Sequence, residues 1–443
     1  MDEKRGLYII THGCQMNEYD SSRMALSLAD EYVLVDRPEN ADLIIMNTCS
    51  VREKPQKKVL DELAQLKSYK RNNPELLVVV TGCVAQQEKA KLLEASPVVD
   101  LVLGPDEEQE LRDYLEQVRQ GQRLSFSGFQ KGGFHLEPLE VPEGIGRGGK
   151  ISVFVAAQKG CDRFCSYCIV PLVRGREKSR PLPEILQEIQ TFVRAGVREV
   201  TLLGQNINSY GADFSDGPGF DELLQEVAQI DDLWRIRFVT SHPAAMTDIH
   251  IQAIAKLPKV CKYLHLPIQA GSNRILNEMN RGYTVEDYLE LVTKLRAQIP
   301  GLALSGDMIV GFPGETEDDF AGTLEVIKKV QYDTLFSFVY SSRPGTKASR
   351  MDDPVPRKQK LEWLAILQEA QKRITLQANQ ALIGSVQDVL VEDLSKKSAK
   401  DLSGRTDGNK IVNFTANPEL LGRLVSVRIT DAHQNSLRGE WLP

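Results

Sequence analysis

The sequence lacks any uninterrupted apolar run long enough to span a bilayer, since a spanning helix needs about 20 such residues. Its first residues, MDEKRGLYIITHGC, lack the apolar stretch and small-residue cleavage site of a secretory leader. These absences give a cytoplasmic expectation, with no membrane partner. Positive charge is not in excess either. Lys and Arg number 54 against 61 Asp and Glu, a formal net charge of −7, which argues against a generic nucleic-acid coat. We find no large internal repeat and no low-complexity tract. Seven cysteines in a reducing compartment exclude a disulfide framework and leave thiols for metal or chemistry.

What is present is ordinary globular composition, 42% hydrophobic and 26% charged. At a prior of roughly 150 residues per domain, 443 residues suggest about three domains. The first segment reads GLYIITHGC, ADLIIMNTC, ELLVVVTGC and VVDLVLGP, with helices from about Asn17, Glu53 and Gln86. Continuous apolar strands alternating with helices predict a doubly wound parallel sheet. Residues 121–150 hold eight glycines and read as a linker. GIGRGGK within it is not a phosphate-binding loop. Ile151 stands where Ser or Thr should hold magnesium, and a strand follows where a helix should. A second α/β series then gives six βα units, a partial TIM-like (βα)6 barrel, closed by the helical stretch PRKQKLEWLAILQEAQKRITLQAN. The tail strands SVQDVLVED, NKIVNF, RLVSVRITDA and LRGEWL, with turn signals such as SGRTDGNK between them, predict a small antiparallel β-barrel.

Two cysteine sets carry the chemistry. Cys14, Cys49 and Cys83 are 35 and 34 residues apart, too far for a local clip. Each follows a predicted parallel strand and precedes a helix, and such strand ends line one edge of an open α/β sheet. Three thiols could therefore converge there, where one alone would read as core packing. Cys161, Cys165 and Cys168 form CxxxCxxC just after the first barrel strand, on the face where barrel active sites form. No nearby His or Cys completes a four-ligand zinc site. Cys261 begins a strand and reads as core. Three thiolates on a four-iron cluster leave one iron open for a substrate or cofactor.

The spacing, with Tyr167 directly before the last cysteine, resembles the radical S-adenosylmethionine superfamily. THGCQMNEYDS, NTCSVREK, GCVAQQE, GCDRFCSYCIVPLVRGREKSR, LLGQNINSYG, TSHP, HLPIQAGSNRILNEMNRGYT and GDMIVGFPGETEDDF occur in order and resemble the methylthiotransferases, in particular the class acting on dimethylallyladenosine in tRNA. His12 and the pair Leu172–Val173 depart from the expected residues, away from any proposed ligand. The resemblance implies four segments. These are an N-terminal methylthiotransferase domain over 1–120, the Gly-rich linker over 121–146, a radical core over 147–377 and a TRAM barrel over 378–443. It implies two 4Fe-4S clusters, one on Cys161, Cys165 and Cys168 and an auxiliary one on Cys14, Cys49 and Cys83, with S-adenosylmethionine at the open iron of the first. One electron would cleave that cosubstrate, and the resulting radical would take hydrogen from C2 of the adenine. Sulfur held at the auxiliary cluster and methylated by a second S-adenosylmethionine would then be inserted. An aryl C–H offers no acidic proton, so the cofactor carries that step.

Implied partners are the tRNA anticodon stem-loop, a reductase or flavodoxin-type electron donor, and a sulfur donor; a monomer would suffice. Gln205, Asn206 and Gln269 at strand ends could hold the cosubstrate's ribose and methionine, and Tyr167 could pack on its adenine; each could equally be loop structure. Ser241 and His242 also end a strand and receive no role, and Asp307 reads as buried structure. Basic stretches from Arg52 to Arg71 (seven cations, three acids, +4) and from Cys161 to Arg180 (five against two, +3) could dock an anionic substrate. Residues 378–443 balance eight against eight, leaving Lys396, Lys397 and Arg405 as a local patch or stacking as the means of holding RNA. Two alternatives stay open: methylthiolation of a ribosomal-protein aspartate or of threonylcarbamoyl-adenosine, and a zinc-stabilised RNA-binding scaffold.

Overall fold

The computed structural model describes residues 4–50, 55–138, 150–395 and 398–443. The linker motif GIGRGGK, apart from Lys150, and the residues Arg52, Lys54, Lys396 and Lys397 fall outside them. The described chain forms two compact units. One holds the N-terminal segment with Phe154–Asp162 and Cys168–Glu188; the other holds Arg163–Tyr167 and Ile189–Pro443.

The N-terminal unit is built on a parallel sheet of β1 (Arg5–Thr11), β2 (Tyr32–Leu34), β3 (Leu43–Thr48), β4 (Leu77–Gly82), β5 (Leu101–Leu103) and β6 (Leu124–Phe126), in the order β2-β1-β3-β4-β5-β6. Sequence periodicity predicts four of these strands. The short β2 and β6 are additional, and β6 lies inside the stretch read as linker. Alternation explains the continuous apolar runs. Leu43, Ile45 and Val79 enter one core, with Leu7, Leu28 and Leu115, while Ile44, Met46, Val78 and Val80 enter the other, with Leu63 and Leu66. A strand covered on both faces needs apolar residues at every position. Helices Gln15–Ser27, Pro55–Asn72 and the short Cys83–Glu88 follow β1, β3 and β4. A two-residue ribbon, β8 (Gln158–Lys159) against β9 (Lys178–Ser179), also belongs here.

The larger unit carries the second α/β series. The strands of the series are β7 (Ser152–Ala156, of which Phe154–Ala156 fall in the first unit), β10 (Glu199–Leu203), β11 (Arg235–Val239), β12 (Tyr263–His265), β13 (Ala303–Val310) and β14 (Thr334–Val339). These are the six strands the sequence predicts. β10 pairs with β11, and β13 with both β12 and β14, all in parallel. Helices Val285–Gln298 and Glu317–Val330 belong to the βα units, and the long Arg357–Gln380 matches the predicted closing helix. Thr284 and Thr316 cap two of them, each accepting from the backbone N–H three residues on, which satisfies a donor the helix leaves open.

The tail is a closed barrel of β15 (Val386–Ser395), β16 (Ser398–Thr406), β17 (Ile411–Thr415), β18 (Leu424–Ala432) and β19 (Leu437–Trp441), in the order β15-β16-β17-β19-β18. β16 corrects the sequence reading, which saw turn signals at SGRTDGNK; Ser403–Thr406 are strand, and only the residues after them turn. One pair, β17 with β19, is parallel; the others are antiparallel. Arg235 and Arg237 at the start of β11 bind this barrel through backbone oxygens: Arg235 donates to Arg405 (2.6 Å) and Asp388 (2.7 Å), Arg237 to Thr406 (2.8 Å) and Asp407 (3.0 Å). Phe414 fills the barrel interior with no exposed surface. Phe414→Ala is expected to destabilise the barrel by about 3–5 kcal/mol, the range for aromatic truncation in a core. Urea unfolding of the full chain in a Trp234→Phe, Trp363→Phe background, where fluorescence reports Trp441 in β19 alone, measures it.

Candidate functional site

The pairing Thr11↔Asn47 and Thr48↔Gly82 brings the ends of β1, β3 and β4 level. Cys14, Cys49 and Cys83 follow those ends and come together as their topology predicts. Cys14 and Cys49 hydrogen-bond through their sulfurs, and the Cys14 and Cys83 charges act on one another. Cys49 and Cys83 are buried and Cys14 is exposed. Gly13, at φ +117°, makes the approach possible: a Cβ there would lie 2.2 Å from Cys49 Cβ. Gly82, at φ +88°, does the same beneath β3, where a Cβ would meet Thr48 O at 2.3 Å. Although Cys14 is exposed as a residue, its sulfur is crowded by neighbouring atoms; the hydrogen bond from Cys49 lowers the thiol to about 6, against that desolvation and with help from Arg174. Burial raises Cys83, and Arg174 opposes the rise.

Asn17 and Asn47 tie the strand ends together, and sequence reading missed both. Asn17 Nδ2 donates to Asn47 Oδ1 (2.7 Å) and Thr48 O (3.0 Å), Asn47 Nδ2 donates to Asn17 O (3.0 Å), and Cys14 Sγ donates to Asn17 Oδ1 (3.2 Å). The available signal was an asparagine closing an otherwise apolar strand, in NTC. Arg174 was also missed, counted only as part of a basic stretch. It is buried, and Nη2 lies 2.8 Å from Asp20 Oδ2.

Cys161, Cys165 and Cys168 lie on one loop after β8, with Cys165 buried and the other two half-buried. Arg176 grips Asp162 from this loop at 2.6 and 2.9 Å. In the larger unit, Ser166 N donates to Met279 O (3.0 Å) and Asn280 Nδ2 to Phe164 O (3.1 Å). Arg281, from MNRGYT, is a further residue the sequence reading passed over. Its buried Nη1 donates to Cys165 Sγ (3.3 Å) and to Tyr167 OH (3.4 Å), its Nη2 to Pro267 O (2.7 Å), and its Nε to Tyr283 OH (2.8 Å).

Tyr167 is thus joined to the cysteine loop, while the amides are placed differently. Gln205 and Asn206 lie just past β10, and Asn206 Nδ2 donates to Ser209 Oγ at 2.5 Å. Gln269 does not close β12, as the sequence suggests. It sits four residues beyond, at φ +84°, with its backbone bridged to β13 through Asp307 O (3.0 Å) and Ile309 N (2.9 Å). Cys261 is core, as read; burial raises its thiol. Asp307 is not buried structure: its side chain is a quarter exposed and pairs with His265 at 3.2 Å. The stretch from Cys161 to Arg180 is no solvated basic face. Arg174 and Arg180 are buried in ion pairs. In the stretch from Arg52 to Arg71, Lys58 and Lys70 are paired with Glu62 and Asp100.

Among the described residues, no three His, Cys, Asp or Glu side chains converge as the ligands of one metal ion. A four-iron cluster asks for a different arrangement, since each thiolate binds its own iron. Three thiols at adjacent strand ends, one with a lowered pKa and a guanidinium beside them, are a donor set suited to such a cluster.

Three families match in chain order: the uncharacterized protein family UPF0004 at residues 6–104, the radical SAM superfamily at 155–327 and the TRAM domain at 380–442. The tRNA-2-methylthio-N(6)-dimethylallyladenosine synthase of Carboxydothermus hydrogenoformans is 47% identical over 440 residues, covering 98% of this chain and 99% of that one. Its counterpart from Aromatoleum aromaticum is 48% identical, covering 98% of each. This chain belongs to that synthase family. A radical S-adenosylmethionine methyltransferase, TsrM from Kitasatospora setae, shares the fold at TM-score 0.57 and 16% identity, over 78% of this chain and 75% of that one. No helix among the described residues of this synthase-family chain is long and apolar enough to cross a membrane.

His242 follows β11 and is buried; burial first, then the Arg281 charge, holds its imidazole down near 2. The folded state therefore binds fewer protons than the unfolded chain below pH 6.5, and stability falls with falling pH. His242→Asn keeps a side-chain acceptor where His242 Nδ1 accepts from Ala244 N (3.3 Å) and removes the titration. The unfolding free energies of the two proteins are expected to diverge by about 1.4 kcal/mol per pH unit between pH 6.5 and 4.5, with wild type losing more. Urea unfolding at several pH values checks it.

Proposed function

We propose that the chain is a tRNA methylthiotransferase, placing a methylthio group at C2 of N(6)-dimethylallyladenosine beside the anticodon. The observation that carries this is near-full-length similarity to named synthases, in a chain whose three dispersed cysteines stand at adjacent strand ends. We assign the auxiliary 4Fe-4S cluster to Cys14, Cys49 and Cys83, and the S-adenosylmethionine-cleaving cluster to Cys161, Cys165 and Cys168. When bound, these groups and S-adenosylmethionine supply hydrogen abstraction from an unactivated aryl carbon and a sulfur to replace it.

The chain's own residues hold and shield that chemistry. Arg281 donates to Cys165 Sγ, a hydrogen bond of the kind that tunes a cluster ligand. Its bond to Pro267 O fixes the segment that leads to Gln269. Tyr167, Gln205, Asn206 and Gln269 are assigned to S-adenosylmethionine. The domain limits 1–120, 121–146, 147–377 and 378–443 go with this reading, the last being the RNA-holding module. An electron donor of reductase or flavodoxin type and a separate sulfur donor complete the partners. A monomer carries all the named groups, and the cytoplasm supplies the substrate.

The test is an anaerobic reaction of reconstituted protein, S-adenosylmethionine and a reductant with an anticodon stem-loop carrying dimethylallyl-adenosine. Mass spectrometry of the digested nucleosides is expected to show a methylthio increment, lost in Cys49→Ala. Formation of 5′-deoxyadenosine with an unchanged nucleoside would move the substrate to threonylcarbamoyl-adenosine or a ribosomal-protein aspartate. A colourless protein with stoichiometric zinc and no sulfide would overturn the enzyme reading.

A further inference from the structure

We propose that Arg174 is the positioning residue of the N-terminal three-cysteine site: a buried cation that offsets thiolate charge, raises the reduction potential of the cluster held there, and is itself restrained by Asp20. The proposal rests on the assignment of Cys14, Cys49 and Cys83 as cluster ligands.

The chain path delivers this arginine deliberately. After Cys168, Ile169 and Val173 pack against Cys83 in one small apolar cluster, around the single helical turn Val170–Val173. Arg174 follows at once and points inward, 6% exposed. Its Nη2 meets Asp20 Oδ2 at 2.8 Å as an ion pair, yet makes no aligned hydrogen bond among the described residues. The same guanidinium hydrogen-bonds the Cys83 sulfur and acts on the Cys14 charge, so one buried cation joins the Asp20 carboxylate to the three-cysteine site. The other charges nearby are accounted for. Lys159 pairs with Asp106 at 2.8 Å. Glu108 accepts from Thr81 Oγ1 at 2.7 Å, and burial and the Asp20 charge favour its neutral form. Arg174 feels the charges of Asp20, Cys83 and Cys14 in turn, and lowers both thiols in return.

A guanidinium does not lose its proton in a protein, so this charge is permanent. Charges near a cluster act at low effective dielectric, where they count for more than in water. Cluster potential follows net charge and hydrogen bonding to the sulfurs. Removing the cation makes reduction harder; removing its carboxylate partner leaves the cation more fully exposed to the sulfurs and makes reduction easier. The two variants are therefore expected to move the potential in opposite directions.

The experiment uses the full chain in a background carrying Cys161→Ala, Cys165→Ala and Cys168→Ala, so that all bound iron belongs to the N-terminal site. Each protein is reconstituted anaerobically with iron and sulfide. Iron per chain is measured, and the midpoint potential is followed by paramagnetic resonance during reductive titration. Relative to the background, Arg174→Gln is expected to titrate at a lower potential, Asp20→Asn at a higher one, and Arg174→Lys close to the parent. Arg174→Gln and Asp20→Asn shifting together, or neither shifting, at parental iron content overturns the role of Arg174. If Arg174→Gln does not hold iron, Asp20→Asn decides: an unchanged potential in that near-isosteric variant overturns the proposal. A background protein that binds no iron at all fails the ligand assignment first, and the proposal falls with it.

Discussion

The in-register parallel pairing of β1, β3 and β4 is the constraint on which the N-terminal unit depends. It aligns Thr11 with Asn47 and Thr48 with Gly82, and so sets the three cysteines that follow side by side. The same register sends Leu43 and Ile45 into one core and Ile44 and Met46 into the other. A slip of one residue would exchange the two faces of a strand, and would also displace a cysteine by one strand rise of about 3.3 Å. Core packing and site geometry are thus specified by one set of backbone hydrogen bonds. The glycines before Cys14 and Cys83 complete the arrangement, because the neighbouring strand end occupies the space a side chain would need.

Buried arginines form a second layer of organisation. Arg174 serves the N-terminal cysteines, Arg281 holds the loop that carries Cys165, and Arg235 and Arg237 hold the terminal barrel by its backbone oxygens. A guanidinium suits these places because its planar fork satisfies several acceptors at once while keeping its charge. Each burial costs desolvation, and each of these arginines meets a carboxylate, a sulfur or a set of carbonyls that offsets it. Net charge conceals this entirely. A chain at −7 still spends cations internally at the positions that matter for geometry.

The fold was legible where periodicity was strong. Four of six strands in the first sheet, all six barrel strands and the long helices follow from apolar runs and their spacing. β2, β5 and β6 are three residues each, and short strands carry little signal; β5 was seen because VVDLVLGP is apolar but for Asp100 up to its closing Gly-Pro, while β6, LSF, sits in a glycine-rich stretch. β16 was hidden by polar and turn-forming residues, since SAKDLSGRT alternates weakly. The cysteine convergence was readable because equivalent topological positions repeat. The roles of Arg174 and Arg281 were not, because in sequence a buried arginine and a solvated one look the same. Charge counting over Cys161–Arg180 therefore suggested a docking face, where the fold has Arg174 and Arg180 in internal ion pairs.

A short covalent segment gives this buried charge its consequence. Only five residues lie between Cys168 and Arg174, and the turn they form is packed against Cys83. So short a segment, anchored at Cys83 by apolar contact and at Asp20 by an ion pair, leaves Cys168 little freedom relative to the N-terminal cysteines. Sulfur insertion at a carbon made reactive elsewhere demands that kind of restraint, since misplacement by about 1 Å can cost on the order of a hundredfold in rate. The arginine is then more than a counter-charge. Its ion pair with Asp20 anchors the far end of the strap that begins at the last cysteine of CxxxCxxC, so that electrostatics and chain geometry act through the same residue.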